Sequence, residues 1–200
     1  MGLLKTALIT APTAEPLRLG DVKDHLRIER GETVEDDLLK SLIKTARQRV
    51  EDITNRKLIN QTWKVYLDGW PNSDAITLPY APLSTGTAPA ITYLDSTGGS
   101  NTFSTTGWRC DSVTEPNRVV LTYAQDWPTA SLDNSNPINV QFKCGYGTAS
   151  SDVPDQIRTA MKIVVADLYE NRESILVGRT VTEVPNTVNA LLASYRLRSF

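Results

Sequence analysis

The apolar positions of this chain change period twice. In residues 33–56, TVEDDLLKSLIKTARQRVEDITNR, the residues Leu39, Leu42, Ile43, Ala46, Val50 and Ile53 recur at three- and four-residue intervals, with Lys40, Lys44, Arg47 and Glu51 off that stripe. Such spacing predicts a helix buried along one face. Thr33 is placed to cap it, and Glu35, Asp36 and Asp37 suit the positive end of the helix dipole. A shorter helix is predicted within 17–30, LRLGDVKDHLRIER, where Leu19, Val22 and Leu26 share a face and Gly31 closes the segment.

After Lys57 the period drops to two. In TWKVYLDGW, Trp63, Val65 and Leu67 point one way and Lys64, Tyr66 and Asp68 the other. The strand-like runs AITLPY, AITYLD, GWRCDS, RVVLTYA and INVQFKCGYG follow between turn signals. From residue 153 the helical period returns, with Ile157, Met161, Val164 and Leu168 on one face and Ala160 and Val165 beside them. A last short helix is expected after Pro185, carrying Val188, Leu191, Leu192 and Tyr195. The order predicts an α+β protein: a small α-helical bundle built from both chain ends, with an inserted antiparallel β-domain. The bundle is assigned residues 1–56 and 151–200, including a C-terminal tail, and the β-domain 57–150.

Composition supports the division. The 57–150 block holds all four tryptophans but only five basic and seven acidic residues, against sixteen of each elsewhere. Two hundred residues suffice for a real core. No apolar run approaches the ~20 residues of a membrane span. The start, MGLLKTALITAPTAEP, is broken by proline and glutamate too early for a signal peptide and is expected in the mature protein. A net charge of −2 argues against tight, sequence-independent grip on nucleic acid, which needs a clustered basic face.

The run FKCGYGTASSDVPDQIRTAM has the strand, glycine turn, helix order of a phosphate-binding loop. A P-loop needs lysine and Ser/Thr directly after its last glycine, yet Gly147 is followed by Thr148, Ala149 and Ser150, with no lysine before Lys162. A dinucleotide fingerprint would need glycine where Ser150 stands. The turn therefore reads as a corner between strand and helix, with Asp152 and Pro154 starting the helix. His25 is the only histidine and lies among charged neighbours, which leaves no triad for hydrolysis. Cys110, Cys144 and His25 lack the close pair spacing of a zinc site, and the two cysteines read as free strand thiols. Asp36–Asp37 and Glu51–Asp52 read as capping and solvated acids rather than as a general acid and base. Trp63, Trp70, Trp108, Trp127, Tyr66, Tyr80 and Tyr93 would suit a sugar-stacking face, but a small sheet needs such rings to fill its core. No catalytic residue, cofactor or metal is expected.

The order of segments resembles the head–tail connector (adaptor) proteins of long-tailed bacteriophages and gene transfer agents, in the version with a β-domain inserted into a helical bundle. The resemblance runs from about Leu17 to Arg196. It is most specific in DDLLKSLIKTARQRVE running on into TNRKLINQTW, in GYG before VP, and in LYENRE at the end of the third helix. Arg18 stands where such proteins usually carry a small hydroxylated cap, and the STGTAPA loop is longer and more polar than usual. The resemblance implies a non-enzymatic virion component at the head–tail interface, assembled in the host cytoplasm. It implies a dodecameric ring beneath the portal protein that extends the DNA channel, with DNA as passing cargo, and a platform for the next neck or tail-completion protein. No membrane partner is implied. The mixed-charge helix faces nominate Lys40, Lys44, Arg47, Glu51, Glu170 and Arg172 for the ring interface. The C-terminal residues Tyr195, Arg196, Leu197, Arg198 and Phe200 are nominated for portal binding. The alternative from another class is a small sugar- or protein-binding module using the aromatic β-domain, and a third is a hydrolase without a visible site.

Overall fold

The computed structural model describes residues 5–84, 86–171 and 186–197. The chain forms two compact units, each drawn from separated stretches. One comprises Asn60–Tyr146 with the N-terminal segment through Pro12 and with Leu197, which the sequence assigns to the helical part; the other comprises Thr13–Ile59 and Gly147–Arg196.

In the strand unit, β1 (Lys5–Thr10), β2 (Gln61–Leu67), β8 (Ile138–Cys144), β4 (Ala90–Leu94) and β5 (Ser100–Thr102) lie side by side in that order, every neighbour antiparallel. A second sheet runs β3 (Ala75–Thr77), β7 (Arg118–Leu121), β6 (Trp108–Asp111). The alternation predicted β2 and β8 because one face of each is apolar. Val65, Ile91, Val140 and Phe142 from the larger sheet and Ile76, Trp108 and Val119 from the smaller one meet in a single core. Gln61 pairs with Cys144 at one end of the central β2–β8 ladder and Leu67 with Ile138 at the other. The first residue of β2 thus sits beside the last residue of β8. A chain that leaves and returns at adjacent points is what an insertion requires.

Two strands escaped the sequence reading. β1 was expected within the helical part, but Lys5–Thr10 is extended and pairs along β2, Lys5 opposite Tyr66 and Leu8 opposite Trp63, with a bulge between Leu8 and Thr10. It would otherwise leave the β2 edge open. The N-terminal segment therefore belongs with the strands. β5 is the polar run Ser-Asn-Thr and forms because a tight turn returns the chain onto β4. There the Asp95 carboxylate accepts the backbone N–H groups of Thr97 and Gly99, each at 3.0 Å, and the Asn101 amide at 2.9 Å.

In the helical unit, α1 (Leu19–Leu26), α2 (Asp36–Thr54), α3 (Asp155–Glu170) and α4 (Asn186–Leu192) pack around a core that includes Leu39, Ile43, Ala46 and Val50 of α2 and Ile157, Met161, Val164 and Val165 of α3. These are the stripes read from the sequence, and α2 and α3 lie against each other. α4 follows Pro185 as expected and buries Val188 and Leu192, with Leu191 and Tyr195 half-buried. Helix ends differ in detail. Arg18 precedes α1 without any side-chain cap. That helix closes at Arg27, whose φ of 59° is left-handed, rather than at Gly31. α2 starts at Asp36, with Glu35 rather than Thr33 in the capping position.

The loop from α1 to α2 is held from beneath by a buried lysine. The Lys23 side chain, only 4% exposed, pairs with Asp36 at 2.5 Å and donates to the carbonyls of Arg30 (3.4 Å) and Glu32. Burial of an ammonium is tolerable here because a carboxylate stands beside it and two carbonyl oxygens accept its protons.

Candidate interaction surface

The nominated helix-face residues divide into two groups. Lys40, Lys44 and Glu170 are exposed, and Lys40 holds Asp37 one turn away at 2.9 Å. Arg172 lies outside the described residues. Arg47 and Glu51 do not face solvent at all; they are 6% and 3% exposed. This corrects the expectation that both sit on the outer face of α2. Arg47 Nε donates to Glu15 at 2.8 Å, and its Nη1 lies 3.5 Å from Glu51 Oε2. Lys57 Nζ approaches the same oxygen at 3.5 Å, while Glu51 Oε1 accepts the Leu58 backbone N–H at 3.0 Å. The helical wheel placed these charges beside the apolar stripe. Glu15 then compensates Arg47, while Arg47, Lys57 and the Leu58 amide compensate Glu51.

The same stretch contains a second anchor. α2 ends at Thr54, whose hydroxyl donates to the Val50 carbonyl at 2.7 Å and accepts the Arg56 N–H at 3.3 Å. Asn55 takes a left-handed φ of 55° and turns the chain. Arg56, 7% exposed, then reaches the last turn of the helical unit, where its Nε donates to the Tyr195 carbonyl at 2.6 Å. Arg196 is exposed and donates through Nη2 to Asn189 Oδ1 at 2.7 Å. Leu197 is half-buried, and Arg198 and Phe200 lie outside the described residues.

The glycine turn is closed by a carboxylate of its own loop. A Cβ on Gly147 would stand 2.0 Å from Asp152 Oδ2, so only glycine fits there. That carboxylate accepts the Ala149 N–H at 2.9 Å, which places an internal anion on the loop. Gly145, with φ at 139°, donates its N–H to the Pro82 carbonyl at 2.9 Å. The turn is a corner, as its sequence predicted.

The aromatic residues of the strand unit are packed on one another. Trp70 stacks on Trp127 with centroids 5.2 Å apart and planes 9° from parallel, while Tyr93 and Phe103 meet Trp70 edge-on at 5.6 and 6.0 Å. Trp63 lies 4.6 Å from Tyr80, and Trp108 is 5% exposed. These rings fill a core and its margin. Cys144 is buried and Cys110 half-buried, both as free thiols; burial, with a smaller contribution from the Asp111 charge, pushes the Cys110 thiol up. His25 is exposed on α1. Among the described residues no three His, Cys, Asp or Glu side chains gather as a metal site would require, and no helix is long and apolar enough to cross a membrane.

Two hairpin carboxylates are strongly acidic for the same kind of reason. Asp111 is held well below the usual carboxylate range by the Arg118 guanidinium at 2.7 Å and by hydrogen bonds from Thr114 and Val113. Asp95 is lowered to about 2 by the Thr97 hydroxyl first, then by Asn101 and by the Gly99 and Thr97 amides.

Residues 17–84 match the family of phage gp6-like head–tail connector proteins. Over those residues the chain resembles phage head–tail connectors in sequence. A chain from the neck of an empty gene transfer agent particle, computed with C6 symmetry, superposes with a TM-score of 0.79 at 25% identity, over 98% of this chain and 97% of that one. A chain of the native gene transfer agent virion gives 0.78 at 24% identity, over 98% and 96%. One from the native neck computed with C12 symmetry gives 0.73 at 24%, over 100% and 97%. Both of these last likenesses concern the fold. No curated protein matches the sequence. The connector-like stretch, 17–84, includes α1, α2, the Arg47–Glu51–Lys57 cluster and Arg56, together with β2 and β3.

Proposed function

We propose that this chain is a structural connector of a virion neck, forming a ring beneath the portal that extends the DNA channel and joins head to tail. One observation carries the reading: the fold agrees over nearly the whole length of both chains with a subunit of a gene transfer agent neck, and the connector match falls on the long helix and the strand that follows it. Ring assembly is supported by the symmetry of those necks. A closed ring of identical subunits needs two different complementary faces on each. The exposed Lys40, Lys44 and Glu170 are candidates for one such face. The C-terminal residues Tyr195, Arg196, Leu197, Arg198 and Phe200 are the proposed portal-facing segment. The acidic net charge suits a channel that must not hold its DNA.

Deleting the gene in its phage or transfer-agent host provides the test. The expected product is DNA-filled heads without tails, accompanied by free tails, and repaired by the protein supplied in trans. Normal tail attachment without the protein would refute the reading. Light scattering of the purified chain mixed with its portal should show capture into a ring-sized complex.

A further inference from the structure

The motif TNRKLINQTW carries a nearly buried arginine that bonds to the far end of the helical unit. Arg56 follows a left-handed turn residue, is nearly buried, and directs its Nε–H at the backbone carbonyl of Tyr195, 139 residues away, at 2.6 Å. Its own N–H is held by the Thr54 hydroxyl, which in turn is fixed to α2 through Val50. Both ends of the contact are therefore anchored. On the receiving side, Ala193–Tyr195 forms the final helical turn after α4, and beyond it Arg196 is extended, with φ −66° and ψ 122°. The Tyr195 carbonyl is thus the last acceptor before the backbone leaves the helical conformation.

From this geometry we infer that Arg56 is a positioning residue for the C-terminal segment: it fixes the point at which Arg196 and Leu197 leave the last helical turn. A charged donor on a main-chain acceptor makes a stronger bond than a neutral one, and burial shields it from competing water. The side chain needs no contact with a partner to act. It sets where a partner meets the tail, since a segment that departs from a fixed point loses less freedom on docking than one that departs from a frayed turn. The bond also explains why arginine occupies this place. Lysine can supply a charge but not a fixed Nε–H held at the middle of the side chain.

The inference rests on the proposal that the tail meets the portal, so its test separates the two. In full-length protein, Arg56→Met and Arg56→Lys are compared with wild type by hydrogen exchange of the backbone over residues 193–197 and over α2. Arg56→Met should accelerate exchange across 193–197 at least tenfold while α2 is unchanged, with Arg56→Lys between Met and wild type. Attachment to DNA-filled heads should fall in the same order, and thermal unfolding should shift far less than attachment. Unchanged exchange over 193–197 in both variants overturns the positioning role, whatever happens to attachment. If Arg56→Met also loosens α2, the comparison rests on Arg56→Lys, which keeps the charge. Equal acceleration in α2 and at 193–197 in that variant overturns the inference as well. A chain truncated after Tyr195 that still joins heads at wild-type levels sinks the portal reading alone, because the exchange result does not depend on it.

Discussion

Glu51 offers the most direct check on how the helical unit is held. Its side chain is almost wholly enclosed, one oxygen accepts the Leu58 amide at 3.0 Å, and the other lies 3.5 Å from both Arg47 and Lys57. Removing one member of a buried charge cluster costs roughly 3–5 kcal/mol, because the remaining charges and donors stay desolvated. Arg47 keeps Glu15 at 2.8 Å, which places Glu51→Ala near the lower end, about 3 kcal/mol. About 1–3 kcal/mol of such a loss belongs to a buried amide left without an acceptor, here that of Leu58. Glu51→Gln retains an oxygen for that amide and should lose about half as much. For a chain of this size, each kcal/mol moves the melting temperature by roughly 2–4 °C, so Glu51→Ala should melt about 6–12 °C below wild type. The assay is thermal unfolding followed by far-ultraviolet circular dichroism, with Lys44→Ala as an exposed control expected within about 0.5 kcal/mol of wild type. A Glu51→Ala protein that melts within about 2 °C of wild type would refute the argument. So would a loss no larger than that of Lys44→Ala, since the cluster would then contribute nothing beyond a solvated charge.

Three further outcomes follow from other parts of the molecule. Gly147→Ala should destabilise the chain because the new Cβ meets the Asp152 side chain, its Oδ2 at 2.0 Å and its Cβ at 2.6 Å; in a double-mutant cycle, Asp152→Gly should remove most of that penalty, and strictly additive losses would contradict it. Asp95 and Asp111 have depressed folded-state pKa values, so their contribution is fully present above the unfolded carboxylate value near ~4 and is lost as pH falls through the folded values. The gap in melting temperature between wild type and Asp95→Ala should therefore narrow between about pH 4 and pH 2, and a gap independent of pH would count against the hydrogen-bond account. Excising Asn60–Tyr146 and joining Ile59 to Gly147, which form a β-bridge, through a short glycine linker should leave a helical protein with a cooperative melt, whereas a random-coil spectrum would show that the helical unit cannot stand alone.

The sequence alone determined the elements whose apolar residues repeat regularly. Leu39, Ile43, Ala46 and Val50 mark α2 because a helix bringing them to one side can bury them together, and Ile157, Met161 and Val164 mark α3 in the same way. Val65 in β2 and Val140 and Phe142 in β8 alternate because a strand faces its core at every second residue. Steric exclusion at Gly147 was also readable as a turn, since glycine between a strand and a helix signals a conformation or an approach that side chains forbid. Tertiary structure decided whatever depended on a partner far away in the chain. Lys5–Thr10 became a strand because the β2 edge was open, and Ser100–Thr102 because the Asp95 turn laid it against β4. Arg47 and Glu51 carry charges that a period count assigns to solvent, yet Glu15, Lys57 and the Leu58 amide enclose and compensate them. The anchor from Arg56 to Tyr195 joins positions that only packing of the two chain ends brings together. Periodicity reports which residues avoid water; it carries no record of which oxygen a buried donor will find.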